Sequence, residues 1–383
     1  MTGWRIEGVF LPEGQAGIGG IDERGRWTDT PPDGGEPVPG RFFLPGLVDA
    51  HCHLTVGSGA DGWPRPLSFG EARANLRAAR EAGITVVRDL GSPGSMTLRL
   101  LEEPGGVGLM ACGRFLAPEG QYFPELHSPV PADGLIEAAL AEVGAGARWV
   151  KLIGDFPLLE TGAPRPADAV PTYSVDDVRR LVSAVHGAGA RVAAHTTTAF
   201  AGELVGAGVD SIEHGAGMSE ADVAALAEAG GAWTPTLCAV VAPRSGEDAG
   251  RRERRLVRRE RIGHLLRLAD RLGVRILAGT DVVGSVPEEV ALLVELGLAP
   301  EKALAAASTA ACDFLGVSGL RAGGPANLVA YREDPRDDPG FWRGRRRCSS
   351  RGGGSVRGGR CRSTTRCRPG RGPRSRGSRS PGR

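Results

Sequence analysis

The chain is poor in lysine: of 47 basic residues among 383, only Lys151 and Lys302 are lysines and the remainder are arginines. Aromatic residues are also scarce, at 5% of the chain. No uninterrupted apolar run reaches the roughly 18 residues that a spanning helix needs. The start, MTGWRIEGVF, lacks the basic and long apolar regions of a secretory leader, so the cytoplasm is the expected compartment and a membrane is not an expected partner. The seven cysteines form no CxxC pair and no regular framework, which argues against a structural zinc knot or a disulfide scaffold and for reduced thiols. Cys52, Cys112 and Cys238 fall in predicted strands and Cys312 in a predicted helix. A chain that is 41% apolar at this length is sufficient for one large globular unit and a small appendage.

The segment PGLVDAHCHL, residues 45–54, is the most informative stretch. Alternate side chains of a strand share a face, so His51 and His53 emerge together while Cys52 turns into packing. Paired imidazoles of this kind are half of a site for zinc or a similar transition metal. Four further polar residues each end a short apolar run: Lys151 in WVKLIGD, His195 in RVAAHTT, His214 in VDSIEHG and Asp281 in ILAGTDVV. Ends of parallel strands are where a (β/α)8 barrel assembles its site. The intervals between these residues place them on strands one, four, five, six and eight of such a barrel. Predicted helices alternate with the strands (FGEARANLRAAREAG, DGLIEAALAEVGAG, and SVDDVRRLVSAVHGAG with its Ser-x-x-Asp cap), as a parallel sheet requires.

With PGLVDAHCHL, TVVRDLG, VKLIG, AAHT, DSIEHG, TPTL and GTD in this order, the chain resembles the amidohydrolase superfamily over roughly residues 4–335. DSIEHG followed by TPTL makes it similar to the branch of imidazolonepropionases and Xaa-Pro dipeptidases. The resemblance implies a (β/α)8 TIM barrel with a small flanking β-sandwich and a metal-dependent hydrolase of carbon–nitrogen bonds. The implied cofactors are two divalent ions, with zinc expected. His51, His53 and Asp281 would hold one ion and His195 and His214 the other, with Lys151 bridging them as an N-carboxylated lysine. Asp281 would also move the proton, taking it from a metal-activated hydroxide nucleophile and passing it to the leaving nitrogen.

Lys151 has independent support. A guanidinium stays protonated, whereas a buried amine near cations can lose its proton and take up carbon dioxide. A mononuclear imidazolonepropionase-like or deaminase-like enzyme is the alternative, with His214 near the substrate. Lys151 and the lack of a glutamate soon after His195, Glu203 being eight residues on, speak against it. A barrel that is inactive or only binds is the third reading.

The substrate is expected to be a small molecule, met by loops at 56–67, 117–131, 155–173 and 239–247. Arg88 after the second strand, Tyr122 and His127 after the third and Arg244 after the seventh are candidates to meet a substrate carboxylate or amide, although each reads more simply as a loop or structural residue. The loop APEGQYFPELH departs from the Gly-Gly-His pattern expected of dipeptidase relatives and puts proline-specific cleavage in doubt. Lys302, His186 and His264 read as surface or packing residues. The Arg-rich stretch 251–273 reads as a solvated outer helix, because leucines recur at helical intervals and glutamates interrupt the basic run. It is not read as a nucleic-acid site, and homo-oligomer formation stays open.

The expected organisation is an N-terminal part of the sandwich at 1–44, the barrel at 45–318, a return strand at 319–340 and a disordered tail at 341–383. Asn327 stands in that return where the family often has aspartate. The tail holds 15 arginines and no acid or lysine, leaving the preceding 340 residues with 32 basic and 45 acidic groups, a net of −13. With almost no large apolar residue it cannot build a core. It reads as an out-of-frame translation: if its codons are GC-rich, a one-base shift turns FWRGRRRCSS into VLAGPAAVLL, a plausible missing strand. An RNA-binding extension is the functional alternative.

Overall fold

The computed structural model describes residues 3–59, 63–102, 107–159, 168–244 and 246–337, together with the backbone of 348–350. Short buried strands alternate with amphipathic helices along most of its length, giving parallel sheets in an α/β fold of the TIM-barrel type. One parallel sheet pairs Leu47–Cys52 with Ile84–Asp89 and that strand with Gly108–Ala111. A second runs Phe115–Leu116, Trp149–Ile153, Arg191–Thr196, Ser211–His214, Ala232–Thr234 and Arg275–Ile276. Backbone bonds also cross between the two sheets. The Ala50 amide donates to the Ala278 carbonyl at 2.9 Å and the Asp281 amide to the His51 carbonyl at 2.7 Å. Third-strand sequence expected as one run, GLMACGRFL, is two short strands separated by Cys112, Gly113 and Arg114.

These strands contain almost uninterrupted Val, Leu, Ile and Ala because both faces are covered. Leu152, Val192 and Ile212 belong to the cluster that packs against the helices. Val48, Ala50, Val86, Trp149, Ala193, Ala232 and Leu277 cluster with Phe314 and Leu315 of the helix Thr309–Leu315. Each such large aliphatic side chain contributes on the order of 1.5–3 kcal/mol on burial.

Helix starts are set locally. Ser68 with Glu71, Ser174 with Asp177 and Ser219 with Asp222 form capping boxes that satisfy otherwise open amides. The Arg-rich stretch is one helix, Ala249–Leu272, capped by Asp248 and stopped by Gly273 at φ 77°, a left-handed conformation glycine adopts without a Cβ clash. Its buried residues, Ile262, Gly263, Leu265, Leu266 and Ala269, all lie in its second half. Cys238, expected in a strand, lies in the short helix Leu237–Val240, since Thr236 at φ 47° ends the preceding extended run. Cys52, Cys112, Cys238 and Cys312 are buried free thiols, and Cys312 is helical as expected.

A separate mixed sheet is built from both ends of the described chain. Trp4–Phe10 pairs antiparallel with Gln15–Ile21 and parallel with Phe42–Pro45, and Phe42–Pro45 pairs antiparallel with Leu328–Tyr331. Of the tail, the backbone of Cys348–Ser350 adds antiparallel to Leu328–Ala330; residues 341–347 and 351–383, and with them the reading of the tail as disordered, lie outside the described residues. No helix among the described residues is long and apolar enough to cross a membrane.

Candidate metal centre

The side chains of His51, His53 and Asp281 converge at strand ends, with one ligand atom from each lying within 4.8 Å of the others. His53 Nε2 is 3.5 Å and His51 Nε2 3.9 Å from Asp281 Oδ1. The His51 ring centroid lies 5.3 Å from that of His53 and 5.1 Å from that of His214, which is 4.6 Å from His195. Lys151 is buried, and its Nζ has no hydrogen-bond partner. His53, Lys151, His195, His214 and Asp281 all line one cavity of about 1770 Å³. All six residues singled out in the sequence are thus gathered at one place.

Three imidazoles are oriented by acceptors behind them. His51 Nδ1 donates to Glu213 Oε2 at 2.7 Å and His53 Nδ1 to the Gly91 carbonyl at 3.0 Å. The Thr236 hydroxyl donates to the Pro235 carbonyl, so it receives the His214 Nδ1 proton at 2.6 Å. Each Nε2 is left unprotonated, with its lone pair available to a cation. His51 Nε2 is buried without a partner, the state expected of a group whose natural partner is an ion.

Burial keeps the imidazoles neutral. It pushes His53 down to about 3 and His195 to about 4, with the Lys151 charge adding to the effect, and drives His51 and His214 well below the ordinary range. Burial lowers the Lys151 amine as well, against the pull of Glu213 and Asp281. It raises Asp281 to about 6, Lys151 opposing. A neutral-nitrogen set with one carboxylate and one depressed amine suits divalent metals.

Sequence reasoning missed the layer beneath these side chains. Arg88, placed there in a loop, is buried within Ile84–Asp89. Its Nη2 donates to Glu213 Oε1 at 2.9 Å, its Nε to the Ala50 carbonyl at 2.6 Å, and its guanidinium lies 4.5 Å from the Trp149 ring centroid. Ser211 Oγ adds a 2.5 Å bond to Glu213 Oε1. Asp155 accepts from the Thr197 amide and from the hydroxyls of Thr196, Thr197 and Thr198, fixing the turn after His195. The polar residue between apolar ones in TVVRDLG and SIEHG was the available signal.

Period-two alternation would place Glu213 and His214 on opposite faces, yet both approach His51. His214 sits at φ 64° and Asp281 at φ 59°, conformations that cost non-glycine residues on the order of 1–3 kcal/mol each. A Trp233 Nε1 bond to the His214 carbonyl, 2.9 Å, helps hold the former.

The expected loops contribute Val56, Ser58 and Pro64, Tyr122, Phe123 and Leu126, Phe156, Asp168 and Ala169, and Ala239, Val240, Ala242, Pro243 and Arg244 to the cavity. His127 instead bonds the Phe123 and Pro118 carbonyls. Lys302, His186 and His264 are surface ion-pair partners of Asp270, Asp210 and Glu220. The first half of the helix Ala249–Leu272 is largely exposed, as expected, and there Glu253, Arg254, Val257, Arg258 and Arg261 also line the cavity.

A TIM-barrel-type fold with four histidines, a lysine and an aspartate gathered at its strand ends is the arrangement of a metal-binding hydrolase class. The Amidohydrolase family model matches residues 42–343, and the chain belongs to that family, hydrolases of carbon–nitrogen bonds that typically bind divalent metals. The uncharacterized protein Rv2915c of Mycobacterium tuberculosis is 34% identical over 351 residues, covering 88% of this chain and 87% of its own. Similar solved structures include a Xaa-Pro dipeptidase with bound methionine in the active site, at TM-score 0.72 and 22% identity over 89% of this chain and 96% of that one. An ochratoxinase from A. niger aligns at TM-score 0.73 and 17% identity over 90% and 92% of the two chains.

Proposed function

We propose that this chain is a two-metal amidohydrolase that cleaves an amide, cyclic amide or dipeptide-like C–N bond. His51, His53 and Asp281 would hold one divalent ion, expected to be zinc, and His195 and His214 a second, with carboxylated Lys151 between them. When bound, the ions would supply Lewis acidity and an ionisable water at neutral pH. The observation that carries the reading is the shared orientation of three imidazoles, each with Nδ1 occupied from behind, around a buried amine that has no partner.

The chain's own residues then divide the work. Glu213 and Thr236 fix the tautomers of His51 and His214, so no proton must leave a ring before a cation binds. Asp281, the only carboxylate of the six, turns Oδ1 to the His51 and His53 Nε2 atoms, so its other oxygen would accept the proton and return it to the leaving nitrogen. The wall of Phe115, Tyr122, Phe123, Leu126 and Phe156 keeps water from the reacting bond on one side. The two parallel sheets would form one continuous (β/α)8 ring over 45–318. The mixed sheet built from 1–44 and 319–340 would correspond to the small flanking domain.

Metal counting tests the assignment. Two equivalents per chain are expected, falling on Lys151→Ala, with turnover in a panel of dipeptides, N-acyl amino acids and hydantoin-like rings. One equivalent untouched by Lys151→Ala would replace this reading with the mononuclear one. Bound metal with no turnover across the panel would leave a binding barrel.

A further inference from the structure

Six of the nine arginines of the helix Ala249–Leu272 fall into two groups. Arg251, Arg255 and Arg259 are matched by Asp248, Glu247 and Glu295 at 3.4, 3.0 and 2.9 Å. Arg254, Arg258 and Arg261, with Arg244 from the preceding loop, have no carboxylate within ion-pair distance among the described residues, and these four line the cavity. Three of them are held by backbone carbonyls. Arg244 Nη2 reaches Ala239 at 2.9 Å, Arg258 Nη1 reaches Val240 at 3.5 Å and Arg261 Nη2 reaches Met218 at 2.7 Å. A guanidinium carries five N–H donors, so most remain available.

The spacing of Arg254, Val257, Arg258 and Arg261 is i, i+3, i+4, i+7, which puts all four on one helix face. At 1.5 Å of rise per residue the row from 254 to 261 runs about 10 Å along the cavity wall. Val257, 63% exposed, interrupts it with an apolar surface. Acidic groups in the same lining, away from the metal centre, are Asp168, Glu253 and Glu288, the last already engaged by the Ser285 hydroxyl. The cavity, about 1770 Å³, exceeds the roughly 300–1000 Å³ usual for small-ligand pockets.

We propose that this arginine row is a subsite for an anionic group, carboxylate or phosphate-like, carried by the substrate several bonds away from the amide that is cleaved. Only the position of the reacting bond rests on the amidohydrolase reading; recognition of the anion does not. The aromatic wall would take the acyl side, and the extended acidic arm would lie along the helix over Val257. Fork-shaped guanidinium donors match either anion bidentately.

The test uses the metal-loaded full chain and N-phenylacetyl aminoalkyl compounds with one to six carbons between amide nitrogen and terminus. Each ends in carboxylate, phosphonate or neutral carboxamide. Expected is at least a fivefold preference in kcat/KM for an anionic end over the carboxamide, greatest at the longer spacings. Arg254→Glu and Arg258→Glu should abolish it while carboxamide turnover stays within twofold, and the carboxylate and phosphonate arms identify which anion fits. Calorimetric binding of the same pairs is the second readout. Anion preference in binding that disappears in the variants supports the subsite even where nothing is hydrolysed, which would sink the hydrolase reading alone. Equal treatment of charged and neutral ends by the wild-type chain in both readouts, or a preference untouched by both variants, overturns the proposal.

Discussion

Glu213 is the residue whose removal is most informative. It is fully buried among three partners, His51 Nδ1 at 2.7 Å, Arg88 Nη2 at 2.9 Å and Ser211 Oγ at 2.5 Å. Glu213→Gln preserves shape and still offers an oxygen to His51, but it strands the Arg88 guanidinium as a buried charge without a counter-ion. Breaking a buried pair from one side costs about 3–5 kcal/mol, which at about 2 °C per kcal/mol for a chain of this size lowers Tm by roughly 6–10 °C. Loss of the charged acceptor behind a ligating imidazole should also weaken metal affinity about 10–100-fold. Differential scanning fluorimetry of the chelated protein, followed by zinc titration, separates the two effects. In Glu213→Gln/Arg88→Met neither charge remains, so the metal-free double variant should melt above Glu213→Gln while keeping the affinity defect. Glu213→Gln melting within 1 °C of the parent, or a double variant no more stable than the single, would refute the reasoning.

Three further outcomes follow from particular contacts. Gly279→Ala would put a Cβ 2.5 Å from His51 Cβ and 2.7 Å from Thr234 Cγ2, so it should cost about 1–3 kcal/mol and weaken metal binding; Gly144→Ala, with open space at its Cβ, is the control, checked by urea unfolding. Burial raises Glu289, which caps the Leu237 and Cys238 amides, to about 7. Between the ordinary carboxyl value and that pH the folded chain binds more protons than the unfolded one, so the group's contribution falls as pH rises. The stability gap between parent and Glu289→Gln should therefore narrow from pH 4.5 to 7 in urea melts, and a gap constant with pH would contradict it. Independent sequencing of the gene across the codons for 341–383 should show a one-base frame difference; an intact frame removes the reading of the tail as mistranslated.

What could be read from the chain alone were features with short range or strict period. His51 and His53, two apart at a strand end, needed only alternation, and Lys151 stood out because lysine is nearly absent. Ser174 announced its helix because a cap is a contact between near neighbours. The tail's arginine count likewise needed no coordinates. Other features depended on segments far apart in sequence meeting in space. Arg88 became an interior residue because Glu213, Ser211 and Thr234, more than 120 positions away, supply its acceptors. His214 and Glu213 could both serve the centre only because a left-handed backbone at 214 breaks the alternation. The helix Ala249–Leu272 looked solvated since its composition is that of a surface. Packing of its second half, with the Arg255–Glu247 and Arg259–Glu295 pairs, decided that the first half borders the cavity, and no periodicity in the sequence records where a helix ends its support and overhangs a site.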